Sequence, residues 1–284
     1  RPPRSTQSRS SAASDVYKRQ PLYNNIVKQN LIGDNMSTRD VVQDIVKHTA
    51  GLGFITNVKV TGTDEATELD AMDADRTVIM HAELHNAEPD FKGEFGLGNL
   101  GFLAGVTGLL NYQADDATVE VVSRERNGVT TPDALMFRDA DGNTDQYRFM
   151  SKEIIEQTLQ TVKFKGADWD VTFEPTKNKV AELNAIAGIY GGIEPNFTVK
   201  TEAGELIITV GAPDGSFTGK RTFAKNITGE LNEGYAWPLS QVLAILKLGM
   251  SGACVMQISA RGALQISVDS GIGKYDYILP ALTV

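Results

Sequence analysis

The strongest constraint on what this chain can fold into is a spacing. Four helix signals begin near residues 37, 99, 176 and 238, and the two starts within each pair lie 62 residues apart. In the first, Ser37-Thr38-Arg39-Asp40 leads into VVQDIVKHTAG. Ser37 or Thr38 can accept from the unpaired amides of the first turn, and Gly51 ends the helix. Val41, Val42, Ile45 and Val46 recur on one face, with Arg39, Gln43, Lys47 and His48 expected on the exposed face opposite. The second helix is expected over 99–111. The third runs over 176–190, behind Pro175 and ahead of Gly191-Gly192. The fourth runs over 238–249, with Pro238 at a tolerated first-turn position.

Short strands follow each helix. After the third come 197–200, 206–210 and 221–223, separated by Ala203-Gly204 and a Pro213-Asp214-Gly215 turn; after the fourth come 254–259, 264–268 and 275–279. Connections this short suit antiparallel hairpins and exclude parallel crossovers. The chain therefore reads as one unit, a strand, a helix and three strands, used four times. Two units make a domain with two helices packed on antiparallel sheets, an α+β layering. The expected organisation is a leader over 1–20, a first domain over 21–150, a linker over 151–167 and a second domain over 168–284.

Composition narrows the functions. No stretch reaches the ~18 uninterrupted apolar residues of a membrane-spanning helix, and no membrane partner is expected. One cysteine, Cys254, excludes an intrachain disulfide framework, and three histidines leave little for a metal centre. The net charge of −9 argues against coating nucleic acid by bulk attraction. Residues 1–20, RPPRSTQSRSSAASDVYKRQ, carry five cations and one acid. They read as a transit peptide or, preferably, as a non-native or disordered leader, since SAASDVYKRQ resembles translated adapter sequence. Taking those from 27 cations and 36 acids leaves the body at −13. The native start is Met36, or lies upstream if 21–35 forms a first strand.

Local motifs point away from catalysis. Gly96-Leu97-Gly98-Asn99-Leu100-Gly101 spells the dinucleotide fingerprint, yet the preceding Asp90–Phe95 run is too polar for a central parallel strand and a meander follows. It reads as a glycine-rich helix start that lets helix and sheet approach closely. Asp139–Asp145 lacks the glycine spacing and closing Glu of a calcium loop and reads as a hairpin turn. His81 and His85 alternate along a strand, and Cys254 reads as buried filler. No convergent set of titratable groups can be assembled, so no enzyme, metal or cofactor is expected.

Three runs, in this element order, resemble a DNA polymerase sliding clamp, the ring-shaped processivity factor, most like those of tailed phages. They are Phe95–Val106 followed by Asp115–Val121, then Trp237–Leu243, and the ending Lys274–Leu282. The resemblance covers residues 36–284 and implies two tandem clamp domains per subunit, six per homotrimeric ring. It implies that the ring encircles duplex DNA, holds it by topology with weak contacts, tethers the polymerase, and is placed by a clamp loader. Its location would be the host cytoplasm, at the viral replication fork.

The resemblance also implies site residues. Arg39, Lys47, Lys177, Lys179 and Lys247 would face DNA, although the 99–111 helix has no Lys or Arg. Subunits would meet through Tyr147-Arg148-Phe149 and Lys220-Arg221-Thr222-Phe223. Partner peptides would enter a pocket at Leu159, Val162, Tyr277, Pro280 and Leu282. The alternative is a phage structural or assembly protein with repeated α+β domains and no DNA-encircling role.

Overall fold

The computed structural model describes residues 36–126, 128–159, 164, 166–212, 215, 217–231 and 234–282. The 1–20 leader, the 21–35 segment, Val162 and the Pro213-Asp214 turn lie outside the described residues. The chain divides into Arg1–Ser37, of which only Met36 and Ser37 are described, and Thr38–Val284.

The larger unit mixes helix and antiparallel sheet. Its first stretch is α1 (Thr38–His48), β1 (Val58–Gly62), β2 (Thr67–Met72) and β3 (Ile79–Leu84). Then come β4 (Gly93–Leu97), α2 (Leu100–Thr107), α3 (Leu110–Gln113), β5 (Thr118–Arg126), β6 (Val129–Arg138), β7 (Thr144–Arg148) and α4 (Lys152–Thr158). The third stretch is β8 (Val171–Phe173), α5 (Lys177–Tyr190), β9 (Asn196–Glu202), β10 (Glu205–Gly211) and β11 (Thr218–Lys225). The last is β12 (Tyr235–Pro238), α6 (Leu239–Gly249), β13 (Ala253–Ser259), β14 (Ala263–Asp269) and β15 (Gly273–Pro280). Helices α1 and α2 start 62 residues apart, as do α5 and α6.

Two local differences from the sequence reading have clear causes. The expected 99–111 helix is two pieces, because Gly108 caps α2 and Leu109 turns extended before α3. The first half of the expected linker is a helix, because Ile155 is fully buried and gives α4 an anchor against β4.

Eight strands, in the order β4-β1-β2-β3-β15-β14-β13-β8, form one sheet; β11-β10-β9-β12 and β5-β6-β7 form two more. The centre of the large sheet is the antiparallel pairing of β3 with β15, from Leu84 opposite Gly273 to Ile79 opposite Ile278. It joins the first three strands after α1 to the last strand of the chain.

Alternation along β15 assigns the two faces of this joint. Tyr275 and Tyr277 are buried toward α1. Tyr275 donates to Asp44 Oδ2 at 2.8 Å, and Tyr277 donates to the carbonyl of His48 at 2.7 Å. His48, expected on the exposed face of α1, is instead buried, because it stacks on Tyr275 with ring centroids 4.3 Å apart, and Ser270 Oγ donates to the same Asp44 carboxylate at 2.8 Å. Burial opposes the Asp44 charge, but the bonds from His48, Tyr275 and Ser270 outweigh it and hold the carboxyl below its ordinary value of 3.8. A lowered folded value means that ionised Asp44 contributes stability in full above the unfolded value, and that this is lost as pH falls through the folded value.

Asp44→Asn should therefore cost about 1–3 kcal/mol at neutral pH. It should also flatten the loss of stability on acidification below about pH 4. Urea titrations across pH check both; an acid limb as steep as that of the unsubstituted chain contradicts the assignment.

Candidate nucleic-acid interface

Helices α1, α2, α5 and α6 form one layer. α1 packs beside α2, α5 packs beside α6, and the short 3-10 turn Ala50–Leu52 behind α1 touches both α2 and α6. Lys47 near the end of α1 reaches Ser251, just past α6, at 3.4 Å. The order across the layer is therefore α2, α1, α6, α5. Their buried faces are apolar: Val41, Val42 and Ile45 on α1, Leu100 and Leu103 on α2, Val180 and Leu183 on α5, Val242 and Leu246 on α6.

The opposite faces are sparsely charged and mix small residues with exposed apolar ones. α2 exposes Gly101, Phe102 and Gly105, and α5 exposes Ala181, Asn184, Ala185, Gly188 and Ile189. The four helical stretches from α1 to α6 in this layer carry the cations Arg39, Lys47, Lys177, Lys179 and Lys247 against the acids Asp40, Asp44 and Glu182. The layer is thus on the basic side of neutral within a chain of net charge −9.

The five cations are not equivalent. Lys47, Lys177 and Lys247 are exposed. Lys179 pairs with Glu182 one turn on, at 2.8 Å. Arg39 donates to the carbonyls of Ala114 and Ala117, tying α1 to the approach to β5. Arg39 therefore has a packing role, and the three exposed lysines supply the accessible charge.

The expected strand residues lie at sheet edges. β7 and β11 are each outermost in their sheets. Tyr147 and Phe223 are buried, so what these strands offer outward is backbone together with Arg148, Lys220 and Arg221. Tyr147 donates to the carbonyl of Gly98, and burial raises its phenol. Phe149 lies past the end of β7 and stacks on Phe95 at 4.5 Å, inside its own half of the molecule.

The expected peptide pocket needs correction. Tyr277 is fully buried beneath α1 and cannot line an outer pocket; strand alternation puts its neighbour Ile278 on that side. Leu159 is buried, Pro280 is exposed, and Leu282 bridges to Ala236. The sheet face away from the helix layer, the face on which α4 packs, holds a 520 Å³ groove lined by Met72, Ile79, Ile278 and Phe164, with Glu68, Asp70, His81 and Asp276 beside them. His81 is bonded to Asp70 at 2.9 Å, and that contact raises its pKa against the opposing effect of burial. Phe164 and Ile278 were missed in the sequence reading. The alternation of Tyr275, Tyr277 and Leu279 was the signal for Ile278.

The glycine fingerprint is used for packing. A Cβ on Gly96 would lie 2.7 Å from Ile155 Cβ, and one on Gly98 would lie 2.4 Å from Met150 Sδ. Asn99 takes φ 51°, the left-handed turn that starts α2. At the hairpin read against calcium, Asp139 accepts from the amide of Asn143 and the side chain of Asn111, at 2.7 and 2.8 Å, and acts as a turn cap. Burial pushes the Cys254 thiol up to about 11, where it is inert.

No known family model matches the sequence, and no curated protein is significantly similar to it. Among solved structures, one described as the C-terminal region of FEN-1 bound to A. fulgidus PCNA matches with a TM-score of 0.63 at 10% identity. The match covers 87% of this chain and 97% of that one. At this identity the likeness is one of fold: a PCNA-like, clamp-like arrangement of helices and antiparallel sheet.

Gly96→Ala should destabilise the chain by about 1–3 kcal/mol through displacement of Ile155. A denaturant midpoint unchanged from that of the original chain would contradict the packing role.

Proposed function

We propose that this chain is a non-enzymatic subunit of a ring-shaped DNA sliding clamp. The observation that carries the reading is the helix layer: a sparsely charged surface with a modest excess of cations, on an acidic chain with a clamp-like fold. A protein that travels along DNA needs contacts that do not grip. Each neutralised phosphate releases counterions and deepens binding, so a surface with few accessible lysines keeps adhesion low and salt-sensitive. Retention then has to come from enclosure.

On this reading the chain holds two tandem clamp domains, Met36 to the end of β7 and β8 to the end of β15, linked through α4. Three copies close the ring through β7 of one and β11 of the next. Two different edges joined head to tail close into a ring when the rotation fits. The pairing would also cover two exposed edges. The polymerase and a clamp loader would present peptide segments to the outer groove, with apolar anchors on Met72, Ile79 and Ile278. The site of action is the replication fork, in the host cytoplasm for a clamp of the tailed-phage type.

Replacing the three exposed lysines Lys47, Lys177 and Lys247 by Gln should shorten the products of polymerase synthesis severalfold. Folding stability should stay within about 0.5 kcal/mol of its original value. Light scattering on the unsubstituted chain should give three times the subunit mass. Unchanged product length with normal folding would favour an assembly protein with no DNA in its middle.

A further inference from the structure

The chain contains a worked copy of the joint it would need between subunits. α1 begins at 38 and α5 at 177; α2 begins at 100 and α6 at 239, so both steps are 139 residues. The same step carries β3 and its hairpin with β2 onto β11 and its hairpin with β10: Met72 opposite Ile79 becomes Gly211 opposite Thr218. By position β7 corresponds to β15, since each is the last strand of a three-stranded meander that follows a helix. Within the chain, β3 and β15 are already paired.

We propose that β7 joins β11 of a second copy as β15 joins β3, with Asp145 and Arg221 forming an ion pair across the joint; this rests on the ring reading above. Three observations agree. First, the faces match. Asp145 accepts from Tyr112 of α3 at 2.7 Å, and Arg221 lies 3.8 Å from Glu182 of α5, so both side chains lie on the helix side of their sheets. Residues opposed in an antiparallel pair must share a face, and a one-residue slip would separate them. Counting along β7 from its hairpin turn puts Asp145 opposite Arg221. Counting from its base puts Asp145 opposite Gly219, diagonal to Arg221 and still within reach of a long side chain.

Second, the exposed apolar residues fall where the internal joint buries its own. Val78, just before β3, is fully buried, while its counterpart Phe217 is 66% exposed. Gln241 of α6 bonds to Thr77 beside that joint at 3.0 Å, and its counterpart Phe102 of α2 is 49% exposed. Joining two copies would bring Phe102 of one to Phe217 of the other. Third, Phe102 stacks on Tyr147 of β7 at 6.4 Å, so this apolar patch is continuous with the strand edge.

The test is a charge swap read by light scattering across a dilution series. Asp145→Arg and Arg221→Asp should each raise the concentration needed for half assembly by about tenfold or more, since each sets like charges together. The double variant should recover most of the loss. Circular dichroism should show all three folded, because both residues lie on edge strands and Asp145→Arg loses a single hydrogen bond inside the subunit, the one from Tyr112. Assembly of the singles as tight as the original, or a double variant no better than either single, overturns the pair and leaves the ring standing. A chain that is monomeric before substitution at every concentration overturns the ring reading itself.

Discussion

The architecture depends on one antiparallel contact, β3 against β15. These strands lie about 190 residues apart in sequence, and the hydrogen-bonded ladder between them turns two short sheets into one of eight strands. A contact of such long range is costly in chain entropy, so it needs reinforcement. The reinforcement is polar as well as apolar. Asp44 gathers Tyr275, Ser270 and His48 beneath α1, and every one of these groups is satisfied. An isolated buried carboxylate would be strongly destabilising; held by three donors it ties the first helix to the last strand.

That joint also sets where function can sit. Because β15 alternates, one face carries Tyr275 and Tyr277 under the helices and the other carries Asp276 and Ile278 toward the groove. The helix layer and the groove are therefore opposite sides of the same strands. The proposed ring reading calls for this separation: one surface that would slide along a duplex without holding it, and another that would grip protein peptides. The modest cation excess of the helix layer and the mixed apolar and acidic groove are consistent with that reading.

Much of this was legible in the residues. The helix starts near 38, 177 and 239 were readable from Ser37-Thr38, Pro175 and Pro238 because capping and proline signals are local. The meanders were readable because short turns permit little else. Position within a strand was harder. The pocket assignment to Tyr277 failed because an aromatic near the C-terminus carries no local mark of which face it occupies; only the pairing of β15 with β3 settles that. Helix α4 was hidden in a stretch read as linker, since its stability comes from Ile155 filling the space left by Gly96, a contact between residues 59 positions apart. The low accessibility of Arg39 was likewise invisible, because its partners Ala114 and Ala117 are backbone carbonyls from a distant turn.

Enclosure makes a demand that adhesion does not. The direct measurement is the lifetime of the loaded protein on a closed circular plasmid, followed on the same sample after a single cut. The account predicts long retention on the circle and rapid loss from the free ends after cutting. Equal lifetimes before and after the cut would show that the protein clings to DNA by contact, contradicting the account.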